Sequence, residues 1–192
     1  MRAIKVAFDL DRVIFDTNAY FRSLDSRLRG IGRSFEEVFE GVSGRKSIDY
    51  LFDVLMRDFN EAEVRRILFS GVDVHMSKEL KSIAASVIAN GGDVFIVSVG
   101  NRHQLEKLVG FPHSRVFIVK GDDDKVKKVA ALGVDIFVDD KAAVVKKLRS
   151  MGVRAFQALW FLDEEHRRGA LVDALKKPSE LEELVVGMLH EH

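Results

Sequence analysis

The stretch VAFDLDRVIFDT, residues 6–17, joins a short apolar run to two acids spaced by one residue, Asp9 and Asp11. The run has the length and the Val and Phe content of a buried strand, and in an extended chain Asp9 and Asp11 share one side while Leu10 turns to the other. Two carboxylates held a few ångströms apart repel each other unless one takes up a proton or a positive charge lies between them. A metal ion is the expected source of that charge.

Outward from this stretch, four more apolar runs repeat the pattern: DVFIVSV (93–99), RVFIV (115–119), VDIFVDD (134–140) and VRAFQAL (153–159). Between them lie helical patterns, KELKSIAASVIANGG (78–92), NRHQLEKLVG (101–110), DDDKVKKVAALG (122–133) and KAAVVKKLRSMG (141–152). Strands alternating with helices predict an α/β fold, a Rossmann-like parallel sheet with helices on both faces. Ligands of such sheets bind beyond the carboxyl ends of the strands, at the topological switch point. The polar residues that end these strands, Asp9, Asp11, Ser98, Asp139 and Asp140, therefore collect into one candidate site.

Residues 17–74 break the alternation, with helical periodicity in NAYFRSLDSRLRG, SFEEVFEG, KSIDYLFDVLMRDF and EAEVRRILFSG and no strand-like run. They read as a small all-helical cap inserted after the first strand, over a core formed by residues 1–16 and 75–192. Thr17 and Asn18 are the expected hinge, and Phe35, Phe39, Tyr50, Phe52 and Phe59, at helical spacing, the cap's own core. The tail from Pro178 predicts a closing helix with Ser179 as its cap, and Trp160 is expected to be buried against it. His190 and His192 are expected in solvent, and His75, His103, His113 and His166, away from the strand ends, are read as structural or exposed.

Lys plus Arg and Asp plus Glu both number 30, so the chain is neutral and carries no field to attract a nucleic acid polymer or an anionic membrane. With no Cys, disulfides, thiolate nucleophiles and Cys-ligated metals are excluded. No apolar run reaches the roughly 18 residues of a membrane span. The expectation is a cytoplasmic protein, a monomer or weak dimer.

In the order of these residues the chain resembles the haloacid dehalogenase superfamily, in its phosphatase-type members with a helical cap. FDLDRV is similar to the first motif, in which the first acid, here Asp9, is the nucleophile and the second, Asp11, the general acid and base. Ser98 in FIVSVGN matches the second motif, with Val99 and Gly100 beside it. For the third, a Lys before the last acidic pair, Lys125 is the first choice and Lys120 the alternative. DIFVDDK matches the fourth, with Asp140 as the expected direct metal ligand and Asp139 the water-mediated one. Arg12 stands where the family usually has Gly, and is expected at the surface. Within the insertion, EGVSGRKSIDYLF resembles a cap specificity loop in which Arg45 or Lys46 would meet the substrate.

The resemblance implies a Mg²⁺-dependent phosphomonoester hydrolase acting on a small phosphorylated metabolite through an aspartyl phosphate on Asp9. Mg²⁺ would be held by Asp9, Asp140, Asp139 and the backbone carbonyl of Asp11, and the phosphoryl oxygens by Ser98, the lysine and N–H groups near Leu10 and Asp11. Asp11 argues against dehalogenation, because dehalogenase members lack the second acid. A β-phosphoglucomutase-like phosphomutase and a 5′-nucleotidase remain alternatives, as does a non-catalytic binding module of the same fold.

Overall fold

The computed structural model describes residues 3–40, 48–100 and 102–190. In chain order its elements are β1 (Lys5–Phe8), α1 (Thr17–Arg29), α2 (Phe35–Val38), α3 (Ile48–Leu55), α4 (Glu61–Phe69), a 3₁₀ turn (Val72–His75), α5 (Lys78–Ala89) and β2 (Asp93–Val99). A second 3₁₀ turn (Arg102–Leu108), β3 (Arg115–Val119), α6 (Asp122–Leu132), β4 (Ile136–Asp139), α7 (Ala142–Ser150), β5 (Ala155–Gln157), α8 (Glu164–Arg167) and α9 (Pro178–His190) follow.

The five strands form one parallel sheet in the order β3-β2-β1-β4-β5. Alternation along each strand divides the core into two layers. Val6 and Phe8 of β1 and Ile136 and Val138 of β4 pack with Leu80, Ile83 and Val87 of α5 and Leu181 and Val185 of α9. Ala7 and Phe137 point to the opposite face, against Val126 and Val129 of α6 and Val144, Val145 and Leu148 of α7. Sealed on both sides, the sheet leaves its strand ends for chemistry. The chain leaves β1 to build β2 and β3 on one side and returns to build β4 and β5 on the other, so the switch point lies at β1 and Asp9 follows it directly.

Helices α1 to α4 bury their own apolar stripes, Tyr20, Leu24 and Leu28 with Leu51, Phe52 and Leu55 and with Val64 and Leu68. The two ends of this insertion are tied together, because Phe15 bridges Met76, Asp16 N–H donates to His75 O (2.8 Å) and Ser77 N–H to Ile14 O (2.8 Å). Of the aromatics assigned to the insertion's core, Phe39 and Phe52 are buried, Phe35 and Phe59 are half-buried and Tyr50 is exposed.

Three expectations change. Within the 101–110 pattern, Arg102–Leu108 forms a 3₁₀ turn rather than an α-helix. Helix α9 begins at Pro178, so Ser179 lies inside its first turn rather than capping it. Proline suits that first position because it lacks the N–H that would go unpaired, and the Glu180 carboxylate takes the free N–H groups of Lys176 (2.6 Å) and Lys177 (3.3 Å) instead. Trp160 is half-buried and donates from Nε1 to Val13 O (2.8 Å), which anchors it to the loop after β1. Among the described residues no helix is long and apolar enough to cross a membrane.

Candidate active site

A cavity of about 530 Å³ opens between the strand ends and the inserted helices. Asp9, Asp11, Ser98, Lys125 and Asp140 line its floor, and Phe21, Phe35 and Ile48 of the insertion line the other side. The floor is held by backbone. Phe8 pairs with Val138, Asp9 N–H donates to Val138 O (2.8 Å), and β1 and β4 thereby bring Asp9 beside Asp139 and Asp140. One carboxylate oxygen from each of the three lies within 4.8 Å of the others.

Lys125 is the cation within this cluster. It closes the first turn of α6 and is buried like Val126 and Val129 further along, and its side chain runs inward until Nζ lies 2.9 Å from Asp9 Oδ2 and 2.9 Å from Asp139 Oδ2. Lys120, at the end of β3, is exposed and outside the cavity lining. The remaining oxygen of Asp139 accepts the Lys141 N–H (2.8 Å). Both Asp139 oxygens are thus engaged, whereas Asp140 faces the cavity with Arg12 Nη1 3.6 Å away. Gln157 steadies Asp140 from behind, donating from Nε2 to its carbonyl (2.9 Å).

One lysine does not neutralise three buried acids. Burial pushes the Asp9 carboxyl up to about 6, against the attraction of Lys125, with Asp139 and Asp11 adding to the rise. Burial and then the charges of Asp9 and Asp139 push Asp140 to about 8. For Lys125, burial favours loss of the proton, but the adjoining Asp9 and Asp139 outweigh it and hold the ammonium above its ordinary range. Three close carboxylates with surplus negative charge and oxygen donors alone suit a hard divalent cation such as Mg²⁺.

Asp11 behaves differently. Strand β1 ends at Phe8, so the alternation expected of Asp9 and Asp11 does not extend through the loop, and the Asp11 carboxylate lies outside the three-acid cluster. Its Oδ1 accepts from Lys107 Nζ (2.6 Å) and Thr17 Oγ1 (2.8 Å). Lys107 is 2% exposed, with its ammonium 5.2 Å from the Phe15 ring centroid and 6.0 Å from that of Tyr20. Lys107 therefore supplies the positive charge that the sequence reading assigned to a metal at Asp11. One Lys in a mixed polar and apolar helical pattern carries no signal of where it points.

Arg12 is also not the surface residue expected. Its φ of 61° is left-handed, a region that disfavours side chains and explains why glycine suits this turn, and its half-buried side chain lines the cavity. Leu10 N–H, expected to meet a phosphoryl oxygen, instead donates to Asp9 Oδ1 (2.8 Å) and fixes that carboxylate. Ser98 is 1% exposed, with an Oγ that has no hydrogen-bond partner among the described residues. Val99 and Gly100 line the cavity beside it, although Gly100 N–H donates to Val119 O (3.2 Å) within the sheet. Arg45 and Lys46 lie outside the described residues. His103 is buried and stacks on Phe52 of α3 with 4.3 Å between centroids.

No family model and no curated protein matches this chain. Solved structures do. A β-phosphoglucomutase from Clostridium difficile is 17% identical over 100% of this chain and 98% of its own, with a TM-score of 0.55. A haloacid dehalogenase-like family hydrolase from Xanthomonas campestris is 12% identical over 100% of both chains, with a TM-score of 0.56. A candidate phosphoglycolate phosphatase from Lactobacillus delbrueckii subsp. bulgaricus is 17% identical over 96% of this chain and 99% of its own, with a TM-score of 0.54. At such identities the likeness establishes architecture: the chain has the haloacid dehalogenase-like fold.

Proposed function

We propose that this protein is a Mg²⁺-dependent phosphomonoesterase, acting on a small phosphorylated metabolite, in which residues 17–74 form a cap over a core of residues 1–16 and 75–192. The observation that carries this reading is that two acids from one loop meet one cavity in different electrostatic settings. Asp9 sits among carboxylates with Lys125, while Asp11 is paired to Lys107 and Thr17. A nucleophile and a proton carrier need such a division of environment.

Asp9, oriented by Leu10 N–H and Lys125, attacks phosphorus, and the bond from phosphorus to the ester oxygen breaks. The ester binds as its monoanion and leaves its proton on Asp11, and the departing alkoxide takes that proton. In the second half Asp11, now a carboxylate, removes a proton from water, whose oxygen displaces Asp9 from phosphorus and releases inorganic phosphate. The ammonium of Lys125 and the buried hydroxyl of Ser98 stabilise the charge on the non-bridging oxygens. Asp9 and Asp140 would hold the metal directly, with the Asp11 carbonyl, and Asp139 would act through Lys125 and a bound water. A Mg²⁺ held there would offset the negative charge shared by the acids and the phosphoryl group.

A second reading, a phosphomutase, has one observation in its favour. The insertion is latched to the core, through the His103–Phe52 stack and an ion pair of Arg65 with Glu106, and a mutase must keep water from its intermediate. Phosphate release from a panel of phosphomonoesters separates these readings. Release with Mg²⁺, loss with EDTA and a decrease of at least about 10³-fold in Asp9→Asn are the expected results. Isomerisation of a sugar phosphate without net release would favour the mutase, and activity retained by Asp9→Asn would overturn the nucleophile.

A further inference from the structure

One buried polar group of the cavity takes no part in the chemistry above. Gln104, on the 3₁₀ turn after β2, is 8% exposed and lines the cavity, and among the described residues its Oε1 has no hydrogen-bond partner. A buried acceptor is costly to leave unpaired, so such an atom marks a place where a ligand or water supplies a donor. The amide is seated in space that a missing side chain leaves open: a methyl group built on Gly100 would lie 2.7 Å from Gln104 Cγ and 2.9 Å from Nε2. Gly100 stands two residues beyond Ser98, and both line the cavity with Gln104. The amide therefore shares one cavity with the hydroxyl assigned to the phosphoryl oxygens.

Among the described residues the cations lining this cavity are already matched. Arg12 faces Asp140, Lys107 faces Asp11, Lys125 faces Asp9 and Asp139, and Lys141 bonds to Asp122 at 2.7 Å. Among the described residues, what this wall lacks is a donor for Gln104, not a carboxylate for a spare cation. Lys107, three residues on, projects from the same side of a 3₁₀ turn, so one short segment brings together the partner of Asp11 and the unpaired amide.

We propose that Gln104 is a specificity-determining residue. Its Oε1 accepts a hydrogen bond from a hydroxyl on the leaving group, so hydroxyalkyl monophosphates are preferred over alkyl or carboxyalkyl phosphates of the same length. The inference rests on the phosphomonoesterase reading. Its test is kcat/KM for hydroxypropyl, propyl and carboxyethyl phosphate, with Mg²⁺, in wild type, Gln104→Leu and Gly100→Ala, with melting temperatures confirming the fold. A wild-type preference of at least about tenfold for the hydroxyl compound over the propyl one is expected, because a site built to bond a hydroxyl rejects the analogue without it. Gln104→Leu should bring that ratio to within about threefold of unity, and Gly100→Ala, which displaces the amide without altering it, should lower it in the same direction. Equal rates in wild type, a preference for the carboxyethyl ester, or a ratio that survives in a folded Gln104→Leu protein would overturn this inference alone. If Gln104→Leu does not fold, an unchanged ratio in Gly100→Ala overturns it. Absence of turnover of all three esters and of p-nitrophenyl phosphate in wild type would overturn the phosphomonoesterase reading and this inference together.

Discussion

Lys107 and Asp11 form a pair in which each side chain makes the burial of the other tolerable. Removing one member of such a pair leaves an uncompensated charge in a poorly solvated place, which typically costs about 3–5 kcal/mol. Lys107→Met is therefore expected to lower the unfolding free energy by about 3 kcal/mol in urea titration, and adding Asp11→Asn to it should restore part of the loss. Equal stability of wild type and Lys107→Met would show that solvent already screens the pair. Arg12 presents the opposite case, a side chain held at φ 61° where left-handed backbone costs roughly 1–2 kcal/mol for any residue with a Cβ. Arg12→Gly should be as stable as wild type or more stable by about 1 kcal/mol, while Arg12→Ala keeps the strain and loses the ion pair with Asp140. An Arg12→Ala protein more stable than Arg12→Gly would contradict this account.

The joints between elements are as restrictive as the elements. Between α5 and β2 the chain turns through Gly92, where an added Cβ would lie 2.7 Å from Ile4 Cγ2, 2.7 Å from Ile4 O and 2.8 Å from Val87 Cγ1. Backbone cannot move aside there without disturbing the pairing of β1 with β2, since Asp93 N–H donates to Ile4 O (2.8 Å). Gly92→Ala is expected to destabilise by about 1–3 kcal/mol in chemical denaturation, as overpacking does elsewhere. Helix α4 offers a milder test. Asn60 accepts Glu63 N–H (3.0 Å) while Glu63 accepts Asn60 N–H (3.1 Å), a reciprocal cap whose loss in Asn60→Ala should cost about 1 kcal/mol. The five strands and most helices are legible along the chain because burial imposes a period of two or near 3.6 on it. The 3₁₀ turn at Arg102–Leu108 is not, since its i, i+3 spacing also belongs to the helical pattern.

For the molecule as a whole, the acid cluster makes stability depend on pH and on metal. Asp9 and Asp140 keep their protons up to about pH 6 and about pH 8 in the fold, against 3.8 for an ordinary Asp. Both are protonated in either state at the lowest pH. As pH rises past 3.8 the unfolded chain ionises first, so the stability these groups contribute is lost progressively until the folded acids ionise as well. The metal-free protein is therefore expected to melt at lower temperature at pH 8 than at pH 5, and Asp140→Asn should flatten that dependence. A divalent cation displaces the protons, so the gain in melting temperature on adding Mg²⁺ should be larger at pH 8 than at pH 5. Melting curves with Mg²⁺ and with EDTA check both signs, and a larger gain at pH 5 would contradict the assignment of the cluster as a cation site.

By itself the sequence determined the order of strands and most helices, the run of helices between β1 and β2, and the placing of Asp9, Ser98, Asp139 and Asp140 at strand ends. These follow from periodicity and from the rule that parallel strands present their carboxyl ends on one edge, both of which are local or topological facts. Only the tertiary structure decided which lysine enters the cluster, that Lys107 faces Asp11 from 96 residues away, that Arg12 turns into the cavity, and that Gln104 settles over Gly100. Long side chains on surface-patterned segments carry no periodic mark of their direction. Their partners are set by which backbone atoms meet in space, and sequence separation does not record that.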